Sequence, residues 1–185
     1  LKLVRRSHDE TLWNYLVHRY HYQGYRIIVG AHIKVMACAD DVPVACLSLS
    51  SSVFRIQSRD DFIGWSQKQR NRNIRHVANN SRFLILPWVQ VRNLASHILG
   101  LSVQQVSDHW DSVYGYPLYL LETFVERARF KGTCYQAANW RYVGQTKGHA
   151  KKNGQFYCHG NIKDIYVYPL GPDFKERLRD HGGAS

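Results

Sequence analysis

Apolar positions recur at helical spacing from Leu12 to Tyr20. Leu12, Leu16 and Tyr20, with Trp13 and Val17 beside them, form one face. Ser7-His8-Asp9-Glu10 before them has capping-box spacing, its hydroxyl and carboxylate able to satisfy opposite amides of the first turn. Gly24 sets the end of this helix near His21. The pattern then turns to β-branched and small apolar residues over 31–39 and 44–52, with Asp40-Asp41-Val42-Pro43 between them, which predicts an antiparallel hairpin. Ser66 and Gln69 open a second capping-box helix, polar and basic, whose apolar positions are Ile74 and Val77. A short apolar strand over 82–88 leads into a helix carrying Leu94, Ile98 and Leu101 on one side. Residues 117–125 are nearly continuous in apolar side chains, the mark of a strand covered on both faces. A helix over 127–138 and strands over 142–146 and 165–168 complete the expectation, with a mobile basic loop over 147–161. Strand, helix and strand in succession at the centre imply a parallel pair. Neither a repeat nor a linker interrupts the chain, so residues 1–185 read as one mixed α/β domain.

Composition narrows the classes. At 44% hydrophobic and 21% charged residues the chain can bury a core and is not a disordered segment. Its longest apolar run, 83–89, contains Pro87 and falls far short of the roughly 20 residues of a membrane span, so no membrane partner is expected. Lys2, Arg5 and Arg6 are followed at once by Ser7-His8-Asp9-Glu10, which is not a signal peptide; the opening Leu1 suggests a piece of a longer protein. Cys38, Cys46, Cys134 and Cys158 show no paired-ligand spacing, and adjacent Cys158 and His159 chelate poorly, so free thiols in a cytoplasm and no metal are expected. Cys38 and Cys46 stand eight residues apart across the hairpin, and this leaves a metal or redox pairing open.

Charge changes the picture more. The net charge is +11, and it is segregated: residues 62–107 hold six basic and no acidic side chains, and 127–163 hold eight basic and no acidic. Such separation points to a polyanion, either nucleic acid or a phosphorylated cofactor, against the plainer reading of a basic surface kept for solubility. Lys68, Arg70, Arg72 and Arg75 on the polar helix, with Lys147, Lys151 and Lys152 on the late loop, are the candidate nucleic-acid contacts.

Candidate chemistry centres on Gln90-Val91-Arg92-Asn93-Leu94-Ala95-Ser96, where a strand passes through a loop into a helix start with small side chains. Open amides and the helix dipole make such a start an anion site. The segment resembles the pyrophosphate loop of the GNAT superfamily of acyl-CoA-dependent N-acyltransferases, Arg/Gln-x-x-Gly-x-Gly/Ala. It matches at Gln90 and Ala95 and carries Asn93 for the middle glycine, a residue that tolerates left-handed backbone. Tyr135-Gln136-Ala137-Ala138-Asn139-Trp140-Arg141-Tyr142-Val143-Gly144-Gln145-Thr146 is similar to the superfamily's helix-to-strand segment, with Asn139 in place of a helix-ending glycine.

That resemblance implies a mostly antiparallel mixed sheet with a central parallel pair, flanked by helices. It also implies acetyl-CoA or another acyl-CoA held by 90–96, and Tyr135 as the acid that protonates the departing thiolate. Glu122, in mid-strand, would be a general base, or else a carboxylate bonded to an arginine or to backbone. His21 and His32, with Tyr20 and Tyr22 as walls, are further candidates facing the same cleft, or else structural histidines.

Asn79-Asn80-Ser81-Arg82-Phe83-Leu84-Ile85-Leu86-Pro87-Trp88, Leu121-Glu122-Thr123-Phe124 and Gly132-Thr133-Cys134-Tyr135 resemble a bacterial family, the A proteins of the Druantia anti-phage defence system, also found fused to transposases. This second resemblance implies a defence or transposon setting and supplies no reaction; with the GNAT resemblance it leads to the expectation of an acyltransferase acting on nucleic acid or a substrate bound to it, with defence or transposase domains as partners. The alternative is a non-catalytic nucleic-acid-binding module on the same fold.

Overall fold

The computed structural model describes residues 1–152, 155–158 and 160–180, with backbone alone over 149–152 and 155–158. Helix α1 (His8–Tyr20) begins at Ser7 as expected, yet the serine makes no capping bond. Glu10 instead accepts from the Arg6 amide and from Nζ of Lys34, which draws its carboxylate out of the box. Strands β2 (His32–Ala39) and β3 (Val42–Ser51) form the expected hairpin, turned by Asp40 and Asp41, both left-handed. Cys46 lies opposite Met36; Cys38, Cys46 and Cys134 are free thiols. Short helices α2 (Gln57–Ile63) and α3 (Gln67–Asn73) follow, and the capping box of Ser66 and Gln69 closes fully.

The central crossover is present. Strand β4 (Val77–Ile85) leads into α4 (Leu94–Tyr114) and back into β5 (Leu120–Glu126), parallel to β4. With β1 (Lys2–Leu3), β6 (Arg141–Gln145) and β9 (Lys163–Pro169), the sheet runs β1-β2-β3-β4-β5-β9-β6. Three expectations change. Strand β4 begins five residues before the expected start at 82, because the polar run 79–82 is also strand. The helix expected over 127–138 is only α5 (Thr133–Ala137), because left-handed Gly132 blocks continuation from the preceding turn. The loop over 147–161 contains β7 (His149–Lys152) and β8 (Gln155–Cys158), which pair as a separate antiparallel sheet. The side chains of Lys151, Lys152 and Cys158, and all of His159, lie outside the described residues.

Helices α4 and α5 cover one face of the sheet, packing Ile98, Leu99, Val106, Trp110 and Tyr135 onto Leu47, Ala78 and Leu121. The other face has two smaller cores. Trp13, Leu16 and Val17 of α1 meet Met36, Cys46 and Leu86. Ile63, Trp65, Phe174 and Leu178, the last two from α6 (Phe174–Arg179), meet Val77, Leu120 and Val167. Among the described residues no helix is long and apolar enough to cross a membrane.

Candidate functional site

Strands β4 and β5 pair over only three positions, Val77 with Leu120, Ala78 with Leu121 and Asn79 with Glu122. Beyond them the strands part. A β-bulge at Ser81, where β3 passes from Asn80 to Arg82, turns β4 away. The hydroxyl of Thr123 donates to the Asn80 carbonyl at 3.1 Å, the last link before the gap. A cleft of about 540 Å³ opens there, lined by the β4 run from Asn79 to Ile85, by 123–126 of β5, by 20–23 at the end of α1, and by 130–135 around the start of α5.

On the α4 side the cleft reaches the start of α4. Asn93 caps it in the left-handed region at φ 60°, which asparagine takes with little strain. No side chain caps this end and no acidic residue lies in its first turn. His97 makes the first helical bond, to the Asn93 carbonyl, and the Leu94 amide turns back to Val91. Among the described residues no acceptor meets the amides of Ala95 and Ser96. Two open donors and the dipole therefore point outward at Ala95, a residue small enough to line the cleft. Of the loop expected to hold a cofactor, Ala95 alone lines the cleft itself; Gln90, Val91 and Arg92 are exposed beside the helix start. Asn139 is left-handed and ends α5, outside the cleft lining.

Tyr135 stands at the parting point. Its hydroxyl lies 3.4 Å from Oγ1 of Thr123, and its ring packs against Phe83, Trp140 and Tyr166. Burial pushes its phenol well above the ordinary value, so the proton stays on at any physiological pH. Asn80 beside it is only 6% exposed, and its Oδ1 has no partner. Cys134 also lines the cleft, but burial pushes its thiol up and away from an activated thiolate.

His21 lines the opposite side, where burial and then the nearby Arg82 lower it to about 4. Its ring is neutral, with Nδ1 accepting from the Gln23 amide. His32 is not brought to this cleft; it opens on a separate pocket beside Arg5, Lys34 and Tyr114. Glu122 is not brought there either. It is fully buried, accepting from Ser52 at 2.5 Å and pairing with Arg59 at 3.0 Å, so the carboxylate bonded to an arginine is what the fold builds. Burial raises its pKa against the opposing pull of Arg59.

The basic helix is divided. Lys68, Arg72 and Arg75 are exposed, but Arg70 is buried and bound to Asp60, so it leaves the set of candidate contacts. Arg75 lies on a 3-10 turn after α3, over the ring of Tyr116. Lys147 is exposed. Among the described residues no three metal-binding side chains gather. Sequence reasoning gave no part to Arg82, Asn80, Thr123, Phe130, Lys131 and Lys163, all of which line the cleft. The polar run Asn79-Asn80-Ser81-Arg82, set against an apolar strand end, was the available signal.

The sequence model of the family described as Druantia protein DruA matches residues 1–153. No curated protein matches the chain. Among solved structures, an acetyltransferase from Bacillus subtilis in complex with CoA aligns with a TM-score of 0.53 at 9% identity, covering 91% of this chain and 96% of that one. A variant of the spermidine N-acetyltransferase from Vibrio cholerae aligns with a TM-score of 0.50 at 14% identity, covering 91% and 76%. At these identities the likeness is one of fold: a GNAT-like sheet with its parallel pair at the centre.

Proposed function

The chain belongs to the Druantia protein DruA family, and on that footing we propose that its cleft binds an acyl-CoA and passes the acyl group to an amine. The observation that carries this reading is the forked β4–β5 pair with an uncapped α4 start at one mouth. The residues present fit such a cofactor. The open amides of Ala95 and Ser96 suit a pyrophosphate, and the β4 edge beyond Asn80, free of β5, suits the amides of an extended arm. A bound acyl-CoA supplies a thioester carbonyl to be attacked and a thiolate to leave.

The chain's own groups then have definable parts. Tyr135 holds a proton on its hydroxyl beside Thr123 at the parting of the strands, where a leaving thiolate would need one. Neutral His21, its Nδ1 held by the Gln23 amide, carries its proton on Nε2 on the other side. Glu122, locked to Arg59, does not serve as the base. The setting we infer is phage defence or a mobile element, with nucleic acid as or near the acceptor, which the acid-free basic stretches support.

Titration calorimetry of CoA into the protein tests the cofactor. Saturable binding is expected, and Ala95→Glu should abolish it by placing bulk and negative charge at the helix start. No binding by the wild type at millimolar CoA contradicts the reading. The locking of Glu122 to Arg59 favours one alternative, a ligand-binding module without turnover; CoA binding with no acyl transfer to any of a panel of amines and oligonucleotides would establish it.

A further inference from the structure

The cleft has a second mouth. Side chains alternate along the strands: Asn80, Phe83, Thr123 and Val125 face α4, whereas Arg82, Phe124, Glu126 and Lys163 face the side of α1. On that side lie His21, Tyr22 and Phe130. We propose that this mouth receives an unpaired nucleotide of a single-stranded nucleic acid, its base stacked on Tyr22 and Phe130 and its phosphate on Arg82 and Lys163. The proposal rests on the reading of the cleft as an acyl-transfer site, of which this would be the acceptor side.

The charges come first. Arg82 is half-buried, yet its guanidinium bonds only the carbonyls of Gly24 and Ser81. Among the described residues no carboxylate pairs with it. Lys163 and Lys131 line the same cleft. The one carboxylate in the lining, Glu126, is held by Arg129 at 3.2 Å. A desolvated cation without a counter-ion is costly and is relieved by an anionic ligand. The same cations disfavour an ammonium acceptor such as a lysine or a polyamine. They favour an amine that is neutral at pH 7 and carried on an anionic chain, and the exocyclic amine of a nucleobase is one.

The rings decide which anion. Tyr22 and Phe130 pack at 5.1 Å and 60°, yet remain 40% and 47% exposed. Arg129 lies over Tyr22 at 5.4 Å. Tyr20 and Trp88, 39% and 52% exposed, make a second pair at 5.5 Å. Exposed aromatics gathered beside arginines at one opening form a stacking platform of the kind that binds single strands without strong sequence preference. An acidic peptide would satisfy the cations and leave the ring faces unused. A paired base cannot enter a gap between two β-strands, so a duplex is excluded unless the nucleotide leaves the stack.

Fluorescence anisotropy with labelled single-stranded DNA, single-stranded RNA and duplex of equal length, over a salt series, tests the proposal. Single strands of either kind should bind more tightly than duplex. Tyr22→Leu and Phe130→Leu should each weaken them about tenfold, the scale of one lost stacking contact. Both rings are exposed, so these variants should keep their fold, which their thermal unfolding midpoints check. The triple replacement Lys68→Ala, Arg72→Ala and Arg75→Ala should cost less than either ring. No binding at low salt overturns the proposal, as does binding that the ring variants leave intact. Equal binding of polyglutamate, untouched by the ring variants, overturns it in favour of an acidic protein. If CoA binds and oligonucleotides do not, only this proposal falls; if oligonucleotides bind and CoA does not, the acyl-transfer reading falls.

Discussion

Strands β4 and β5 run together for three residue pairs and then part, and buried charge is handled oppositely on the two sides of the fork. Among the described residues of the paired half the buried charges are paired, although Ser58 Oγ, Asn79 Oδ1 and Arg70 Nε stand without a partner. Glu122 meets Arg59 and Ser52, Arg59 also meets Asp60, and Asp60 accepts from Trp65 and Arg70. In the parted half Arg82 bonds only carbonyls, Asn80 Oδ1 has no partner, and two helix amides point into space. Buried polar groups are almost always satisfied. The closed half therefore reads as scaffold and the open half as a place for a ligand. What separates the two, among the described residues, is whether a buried charge has a counter-ion, not the residue type.

The sharpest way to break that division is Tyr135→Phe, which removes one hydroxyl from the open half. Turnover should fall about 10²–10⁴-fold, while calorimetric CoA affinity stays the same. Unchanged turnover would return Tyr135 to a core aromatic. The converse experiment is Glu122→Ala in the closed half. Leaving Arg59 buried without its partner should cost about 3–5 kcal/mol in urea unfolding, with CoA affinity again unchanged. A loss of CoA binding in folded protein would mean that the two halves are not separate.

A smaller effect comes from His21, held at about 4 in the folded chain against about 6.5 when unfolded. Between those values the unfolded chain binds a proton that the folded chain does not. The stability contribution is therefore full above about pH 6.5 and is lost as pH falls toward 4, by less than the roughly 3 kcal/mol of the full shift, because solvent screens the partly exposed ring. Unfolding midpoints at pH 7, 5.5 and 4 should show this slope in the wild type and less of it in His21→Phe. The smallest effect expected is Ser66→Ala. Its hydroxyl caps the helix that carries Arg70 into the closed network, and its loss should cost about 1 kcal/mol with no change at the cleft.

The sequence made the scaffold more legible than the site. Local signals were enough for α1, the β2–β3 hairpin and the Ser66 capping box, because helical spacing, turn residues and caps act within a few positions. The crossover through α4 followed from a chain-geometry rule. Strand β4 was misplaced because its polar half borders a cleft that only the parting of two strands, paired at positions 43 residues apart in the chain, creates. Glu122 and Arg70 resembled functional charges for the same reason: their partners, Arg59 and Asp60, lie 63 and 10 residues away. Ala95 and Tyr135 could be named because helix starts and a motif carry their meaning locally. Arg82, Phe130 and Lys163 could not, since their shared wall exists only in three dimensions.

Amide hydrogen exchange with and without CoA tests the central division most directly. A ligand in the open half should slow exchange along β4 beyond Asn80 and at Ala95 and Ser96, while the paired segment Val77–Asn79 and helix α2 exchange as before. Protection confined to the paired half, or to the pocket beside Arg5 and His32, would contradict the account.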